Sequence, residues 1–257
     1  NNMYPTLIFL HMMKTGGSTI RKMLQRKYRP EEIYPINLKK TALDPGGHTV
    51  EEFRMLPPDR KSSLRVVQGH LPFRLKLHEY LPEPYVYFIM LRNPLEWAIS
   101  WYYWIIDYDP QWRSYFRDFQ DWAERDIPRR NFQMKRLLSY ELPEYAEGDS
   151  NDLQNAKDNL KNFFPAIGIT ERYDESVVLL KRALGWSGFP EYRKVNATKS
   201  RPKAADLPLS AVNAVERNFA LDFELYEYAN KRLDELIAAQ DGNFAVDLHK
   251  FRRSEER

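Results

Sequence analysis

The chain has 257 residues, of which 43% are hydrophobic and 29% are charged, and it contains no cysteine. This composition is typical of a globular protein without a disulfide framework or a thiolate metal site, and no apolar run approaches the ~20 residues that span a bilayer. The 39 Lys and Arg residues against 36 Asp and Glu residues leave a formal net charge of +3, which is too small for a generic nucleic-acid-binding surface.

The predicted elements alternate between strands and helices along the chain. Apolar runs predict strands at Thr6–Leu10, Leu64–Val67, Tyr85–Leu91 and Phe164–Ile169. Apolar periodicity predicts helices at Thr19–Lys27, Val50–Leu56, 95–106, 111–125, 129–139, 150–162, Asp174–Leu184 and, as one or two helices, 210–239. Residues 29–62 are otherwise expected to be irregular. The alternation favours a single α/β domain over residues 1–257, with a central, mainly parallel sheet flanked by helices.

The first residues contain no charged, apolar and small-residue leader before the first predicted strand, so a cytoplasmic location is expected from this sequence. The sequence begins with Asn1 and not with methionine, and a leader or anchor outside it would change that expectation.

A glycine turn follows the first predicted strand, with the sequence KTGGST over residues 14–19. A strand that leads through glycines into a helix presents backbone N–H groups and a positive dipole end to an anion, which predicts a phosphate-like ligand. The alternative is a turn that merely begins a helix. A nucleoside triphosphatase would need G-x-x-x-x-G-K-[ST], whereas here Lys14 precedes Gly16 and Gly17, and no aspartate is convincingly placed for magnesium.

Polar residues also follow the next two predicted strands. Arg92 ends the third strand, and Ser100 follows two helical turns later; a guanidinium and a hydroxyl suit a terminal phosphate, although each residue alone is more often structural. His70 ends the second strand, where open α/β sheets bind ligands, and His11 ends the first. The remaining histidines lie in predicted loops or exposed helices and are expected to have no role: His48, His78 and His249.

The order Lys-Thr-Gly-Gly-Ser-Thr after a first strand resembles the 5′-phosphosulfate-binding loop of sulfotransferases that use 3′-phosphoadenosine 5′-phosphosulfate (PAPS). The nearest resemblance is to the carbohydrate enzymes related to heparan sulfate 2-O-sulfotransferase, and it implies a P-loop-NTPase-like three-layer fold. Arg92, Pro94 and Ser100 match that family's R-x-P-x(5)-S element, and the sequence GHLPF from Gly69 resembles its catalytic-histidine segment. Weaker similarities are Ile167–Arg172 near the adenine, Asn196–Arg201 as a basic loop over the nucleotide, and Asp222–Tyr226 as a terminal-helix signature.

The resemblance implies transfer of a sulfuryl group from PAPS to an acceptor hydroxyl, with a carbohydrate as the favoured acceptor and no metal ion required. His70 would be the general base, with His11 in a supporting part, and Lys14 would stabilise the leaving 5′-phosphate. The implied cofactor-binding residues are Lys14, Thr15, Gly16, Gly17, Ser18 and Thr19 at the 5′-phosphate, and Arg92 and Ser100 at the 3′-phosphate. Two alternatives remain open, namely a nucleotide kinase or hydrolase of related fold and a non-catalytic nucleotide- or glycan-binding module.

Two further groups of residues have both a structural and a functional interpretation. The aromatic residues between Trp97 and Trp104 are expected to be mainly the buried face of a helix, with a sugar platform as the alternative. A run of basic residues is expected to be the solvated face of a helix, with recognition of an acidic glycan as the alternative: Arg125, Arg129, Arg130, Lys135 and Arg136.

Overall fold

A five-stranded sheet with helices packed around it forms the centre of the computed structural model, which describes residues 4–38, 46–189 and 201–255. The strands are β1 (Thr6–Leu10), β2 (Ile33–Pro35), β3 (Val66–Gly69), β4 (Tyr85–Leu91) and β5 (Gly168–Ile169). The helices are α1 (Gly17–Lys27), α2 (Val50–Arg54), α3 (Pro58–Ser62), α4 (Pro94–Tyr108), α5 (Trp112–Tyr115), α6 (Phe119–Arg125), α7 (Phe132–Arg136), α8 (Ser150–Phe163), α9 (Tyr173–Ala183), α10 (Leu209–Asn218), α11 (Ala220–Ala238) and α12 (Asn243–Glu255).

The sheet has the strand order β2-β3-β1-β4-β5, and every pairing in it is parallel. In the centre, Ile8 of β1 lies beside Val67 of β3 and Tyr87 of β4. All five residues of β1 are buried, because a parallel sheet is covered by helices on both faces and its inner strands are continuous apolar runs. The predicted α/β class with a parallel sheet is confirmed.

Two strands differ from the sequence-based prediction. Strand β2 lies within the stretch predicted to be irregular, and it is a three-residue edge strand in which Pro35 needs no ladder donor on its open side. The predicted strand over residues 164–169 pairs only at Gly168 and Ile169. Phe164 and Ile167 are fully buried, so their apolar character reflects packing under the sheet and not strand pairing.

The helices around α4 also differ from the prediction in their boundaries. The predicted helix over 111–125 is two helices, because Phe116 is extended and Asp118 caps α6 by accepting a hydrogen bond from the Asp121 N–H at 2.8 Å. The predicted helix over 129–139 is only α7, since Asn131 before it has a left-handed backbone (φ 51°). Helix α12 was not predicted. No helix in the described parts of the chain is long and apolar enough to cross a membrane.

The aromatic residues of α4 form a second core beside the sheet. Trp97 is completely buried and stacks with Trp101 at a ring-centroid distance of 5.9 Å. Trp122 of α6 and Phe219 between α10 and α11 complete this cluster. The interpretation of these aromatics as a buried helix face is therefore confirmed for Trp97, Trp101 and Tyr102.

Asp222 of α11 fixes the short helix α7 against the core. Its side chain is 1% exposed and accepts hydrogen bonds from the backbone N–H groups of Gln133 (3.1 Å) and Met134 (2.8 Å). These amides lie in the first turn of α7, and the preceding residue, Asn131, makes no capping hydrogen bond with its side chain. Burial raises the pKa of the Asp222 carboxyl to about 7. The first residue of the terminal-helix signature is therefore a core residue.

Replacing Asp222 by alanine tests this helix contact. Asp222→Ala should lower the free energy of unfolding by about 3 kcal/mol, because two buried amides lose their acceptor at about 1–3 kcal/mol each. Asp149→Ala is the matched control, since Asp149 also accepts from two backbone N–H groups but at the exposed start of α8. That variant should lose only about 1 kcal/mol. Urea denaturation at pH 5.5, below the raised pKa of Asp222, measures both values without a buried charge at this position, and equal losses would contradict the buried contact.

Candidate functional site

The predicted site residues gather at the carboxyl ends of β1, β3 and β4. Because β1 lies between β3 and β4 in the sheet, the loop that follows β1 has the end of β3 on one side and the end of β4 on the other. His70 therefore lies on one side of this loop and Arg92 on the other. This edge is where open parallel sheets bind ligands.

The loop after β1 has the backbone form of an anion site. Lys14 (φ 63°) and Gly16 (φ 83°) both have left-handed backbones, and α1 begins at Gly17 without a side-chain cap on its first amides. Ser18 is exposed in the first turn of α1, and Thr19 is buried behind it. The Thr15 hydroxyl donates to the Met12 carbonyl oxygen at 2.9 Å, so Thr15 can offer a ligand its backbone N–H but not its side chain.

Three cations meet on the β4 side of the loop. Arg92 Nη1 donates to the Lys14 carbonyl oxygen at 2.9 Å, and Arg92 Nη2 donates to the Glu96 carboxylate at 3.4 Å. Arg201 Nη1 lies 3.3 Å from the same carboxylate. Burial, and then the charges of Arg92 and Arg201, lower the pKa of Lys14. An anion bound among these three side chains would therefore be stabilised by all of them.

One hydrogen-bond donor of Arg92 has no acceptor among the described residues. Its Nε is buried without a hydrogen-bond partner in the described parts of the chain, and it lies 3.9 Å from a Glu171 oxygen, beyond hydrogen-bond distance. A buried donor without an acceptor is costly, which is the situation expected of a group that binds a ligand.

Helix α4 packs against the same region and contains Ser100, which is buried. Asn93 caps the helix by accepting from the first amides, and Pro94 occupies its first position, so the chain turns directly from strand to helix. Ser100 is one turn from Glu96 and one turn from Trp104 on the same face. Glu96 contacts Arg92, and the Lys14 ammonium lies 5.4 Å from the Trp104 ring centroid. The face that carries Ser100 is therefore the one that meets the loop.

The two histidines at the strand ends form a stacked pair. The rings of His11 and His70 lie 4.4 Å apart, and Nδ1 of His70 lies 2.7 Å from the His11 carbonyl oxygen. A carbonyl oxygen can only accept, so Nδ1 carries the proton and Nε2 of the neutral ring bears the lone pair. Burial, and then the charges of His70 and Arg21, lower the pKa of His11 to about 3, so His11 stays neutral.

One glycine makes room for this pair, and a second makes room for the backbone that follows β2. A Cβ atom on Gly17 would lie 2.2 Å from Cδ2 of His11, and a Cβ on Gly69 would lie 2.1 Å from the backbone oxygen of Ile36. Both distances are far inside van der Waals contact, so a larger residue at either position would displace its neighbour. Gly17 and Gly69, which belong to the two sequence motifs, are therefore also needed for steric reasons.

A cleft of about 840 Å³ opens on the β3 side of the loop. The two stacked histidines form part of its wall, and Tyr28, Asn37 and Gln68 add polar groups. Its volume lies within the range of small-molecule sites, which is about 300–1,000 Å³. A small-molecule ligand can therefore approach His70 from the side opposite to Arg92.

Several sequence predictions about other residues need correction. The basic residues of 125–136 are not one solvated face: Lys135 Nζ is buried, Arg130 pairs with Glu147, and Arg136 lines the cleft. The spacing of these residues matched a helix, but α7 is too short to hold them on one face. His78 is not exposed, since it packs against Phe73 and its Nδ1 lies 3.0 Å from the Tyr87 hydroxyl.

Other features were missed or cannot be placed. Glu96 and Glu171 were not predicted to belong to the site, because isolated carboxylates carry no sequence signal for contact with a distant arginine. The predicted basic loop over residues 196–201 lies outside the described residues except for Arg201. Within residues 4–38, 46–189 and 201–255, no group of three or more histidine, aspartate or glutamate side chains could hold a metal ion.

Comparison with known proteins gives one consistent family. A family model described as galactose-3-O-sulfotransferase matches residues 2–257. The chain is 25% identical over 260 residues to human galactose-3-O-sulfotransferase 3, covering 88% of this chain and 55% of that protein. It is 23% identical over 246 residues to mouse galactose-3-O-sulfotransferase 2, covering 88% and 61%. The chain therefore spans little more than half the length of the curated relatives it matches.

The contact between Gly17 and His11 can be tested by substitution. Gly17→Ala should lower the free energy of unfolding by about 1–3 kcal/mol, the cost of overpacking, even though alanine has the better helix propensity. Gly188→Ala is the control, because a Cβ at Gly188 meets nothing within 4 Å, and it should be near neutral. Urea denaturation measures both. A Gly17→Ala variant as stable as the wild type would show that the ring and the helix start are not in close contact.

Proposed function

The chain belongs to the galactose-3-O-sulfotransferase family, and from this membership and the geometry of the site we propose that it transfers a sulfuryl group from PAPS to a hydroxyl of a galactose-containing acceptor. The membership confirms the predicted resemblance to carbohydrate sulfotransferases. The observation that carries the proposal is the two-sided loop after β1, with a cationic cluster on the β4 side and an imidazole pair facing a cleft on the β3 side.

The β4 side fits a nucleotide that carries two separate phosphate groups. The amides of the loop and Lys14 would bind the 5′-phosphate, next to the positive end of α1. Arg92, through its buried Nε, and Ser100 would bind the 3′-phosphate, with Arg201 adding a third positive charge. When bound, PAPS supplies a sulfuryl group attached to a phosphate, and the phosphate is a good leaving group.

The β3 side supplies the proton chemistry. Nε2 of His70 would accept the proton of the acceptor hydroxyl, while Nδ1 stays hydrogen-bonded to the His11 carbonyl oxygen. His70 becomes positively charged as it accepts this proton. No second imidazolium charge opposes it, because His11 beside it stays neutral. Lys14 would neutralise the negative charge that grows on the leaving phosphate oxygen. The loop would thus place the sulfuryl donor on one side and the acceptor hydroxyl on the other, aligned for transfer.

The geometry at Ser100 and Arg92 predicts different effects on nucleotide binding. Ser100→Ala should weaken binding of 3′-phosphoadenosine 5′-phosphate by about 10-fold or more, the scale of a lost hydrogen bond to a charged group, and spare adenosine 5′-monophosphate. Arg92→Ala should weaken both ligands, because Arg92 also holds the Lys14 carbonyl.

Calorimetry with the two nucleotides measures this difference, with Ser114→Ala as an exposed-serine control. Equal losses for both ligands in Ser100→Ala would show that Ser100 does not contact the 3′-phosphate. Tighter binding of ATP with magnesium than of the bisphosphate would support a kinase or hydrolase instead.

The assignment of the base predicts a rate effect at His70. His70→Ala should lower kcat by about 10²–10⁴-fold, the usual contribution of a general base, while nucleotide affinity stays nearly unchanged. Wild-type activity should fall on the acid side as the imidazole protonates, and this fall should be absent from the residual activity of the variant.

His249→Ala is the matched control, since His249 is exposed on α12. The pH dependence of labelled sulfate transfer is the measurement. Near-wild-type transfer by His70→Ala, together with loss of transfer in a folded His11→Ala variant, would assign the base to His11.

A further inference from the structure

The cleft beside His70 carries more positive charge than a neutral sugar requires. Its wall includes the guanidinium groups of Arg21 and Arg136 as well as the two stacked histidines. None of the described residues that line it is an aspartate or a glutamate. The cleft therefore differs from the β4 side of the loop, where Glu96 and Glu171 balance the cations.

Arg136 contacts the backbone of His70 within this wall. Its guanidinium stacks on the Phe132 ring at 4.7 Å, and Nη1 donates to the His70 carbonyl oxygen at 3.3 Å. Within the described ranges no carboxylate lies within 4 Å of it, whereas the neighbouring Arg74 pairs with Glu141 at 2.7 Å. Burial, and then the charges of Arg74 and Arg129, lower the pKa of Arg136 to about 10. Arg136 is half-buried, and a partly desolvated cation without a counter-charge is costly, so an anion in the cleft would stabilise it.

Gln68 gives a second, independent sign of a ligand in the same place. Gln68 is 5% exposed and lines the cleft. Its side-chain Oε1 is buried without a hydrogen-bond partner in the described structure. Buried carbonyl oxygens are normally satisfied, and the hydroxyl of a sugar is a suitable donor. The wall of the cleft therefore combines an acceptor for a hydroxyl with an uncompensated guanidinium for an anion.

We propose that the cleft binds an acidic acceptor, namely a glycan that carries a carboxylate or sulfate group on a sugar next to the galactose. Arg136, assisted by Arg21 at the rim, contacts the anionic group, and Gln68 accepts a hydrogen bond from a sugar hydroxyl. This inference rests on the proposed function, because it specifies the acceptor of that reaction. Of the five basic residues that the sequence offered for recognition of an acidic glycan, the structure assigns Arg136 to the cleft.

The test compares three matched acceptors: lactose, its analogue with glucuronate in place of glucose, and lactose sulfated on the glucose 6-hydroxyl. Affinity is measured by calorimetry with 3′-phosphoadenosine 5′-phosphate present, and transfer is measured with labelled PAPS. At least one acidic disaccharide should bind about 10-fold more tightly than lactose, and the two acidic arms show whether carboxylate or sulfate is preferred. Arg136→Gln should weaken that binding by about 10–100-fold and change lactose binding by less than about 3-fold.

Two further variants allow the proposal to be tested even if Arg136→Gln perturbs folding. Arg136→Lys retains the charge and should keep a clear preference for the acidic acceptor. Arg74→Gln removes a neighbouring charge that is paired with Glu141 outside the cleft, and it should leave the preference unchanged. Loss of the preference in Arg74→Gln, or its survival in a folded Arg136→Gln, would overturn the proposal.

The remaining outcomes separate this inference from the proposed function. Arg136-dependent binding of an acidic disaccharide without any sulfate transfer would support the acidic cleft and contradict the proposed reaction. Transfer to lactose with no preference for either acidic acceptor would support the reaction and overturn the acidic cleft. Equal loss of affinity for all three acceptors in Arg136→Gln would also overturn it, because the arginine would then not be recognising the anion.

Discussion

The hydrogen bond from Nδ1 of His70 to the His11 carbonyl oxygen is the contact on which the rest of the site depends. It joins the end of β3 to the end of β1, and it decides which ring nitrogen of His70 bears the lone pair. Ring stacking holds the two imidazoles parallel enough to share one wall of the cleft, and Gly17 leaves space for His11. The sheet order is what makes the contact possible, because β1 and β3 are neighbours.

The two sides of the loop differ in whether carboxylates balance their cations. On the β4 side, Arg92 and Arg201 pair with Glu96, Glu171 lies nearby, and the Lys14 carbonyl oxygen accepts from Arg92, in a cluster that suits a strongly anionic nucleotide. On the β3 side the cations line an open cleft without carboxylates among its described residues, and a neutral histidine lies behind the candidate base. One loop can thus contact two ligands at once, which is what the proposed transfer from a nucleotide to a glycan requires.

The parts of this site that were predictable are those that depend on neighbours in sequence. The strand, glycine turn and helix around Lys14 and the spacing from Arg92 to Ser100 are local patterns, and the parallel sheet follows from alternating strands and helices. The stacking of His11 on His70, 59 residues apart, depends on strand order and could not be read from either segment alone. Strand β2 was missed because three residues ending in proline carry almost no strand signal. The position of Arg136 in the wall of the cleft was missed because α7 ends sooner than the predicted helix.

The position of the proton on the neutral His70 ring decides whether this residue can act as the base. Nitrogen-15 NMR of the histidine rings, with His70→Ala used to assign the signals, distinguishes the two neutral tautomers. We expect that, above the pH at which it protonates, His70 carries its proton on Nδ1 and that His11 stays neutral well into the acid range. A His70 ring with its proton on Nε2 at neutral pH would contradict it, because that nitrogen could not then accept a proton from an acceptor hydroxyl.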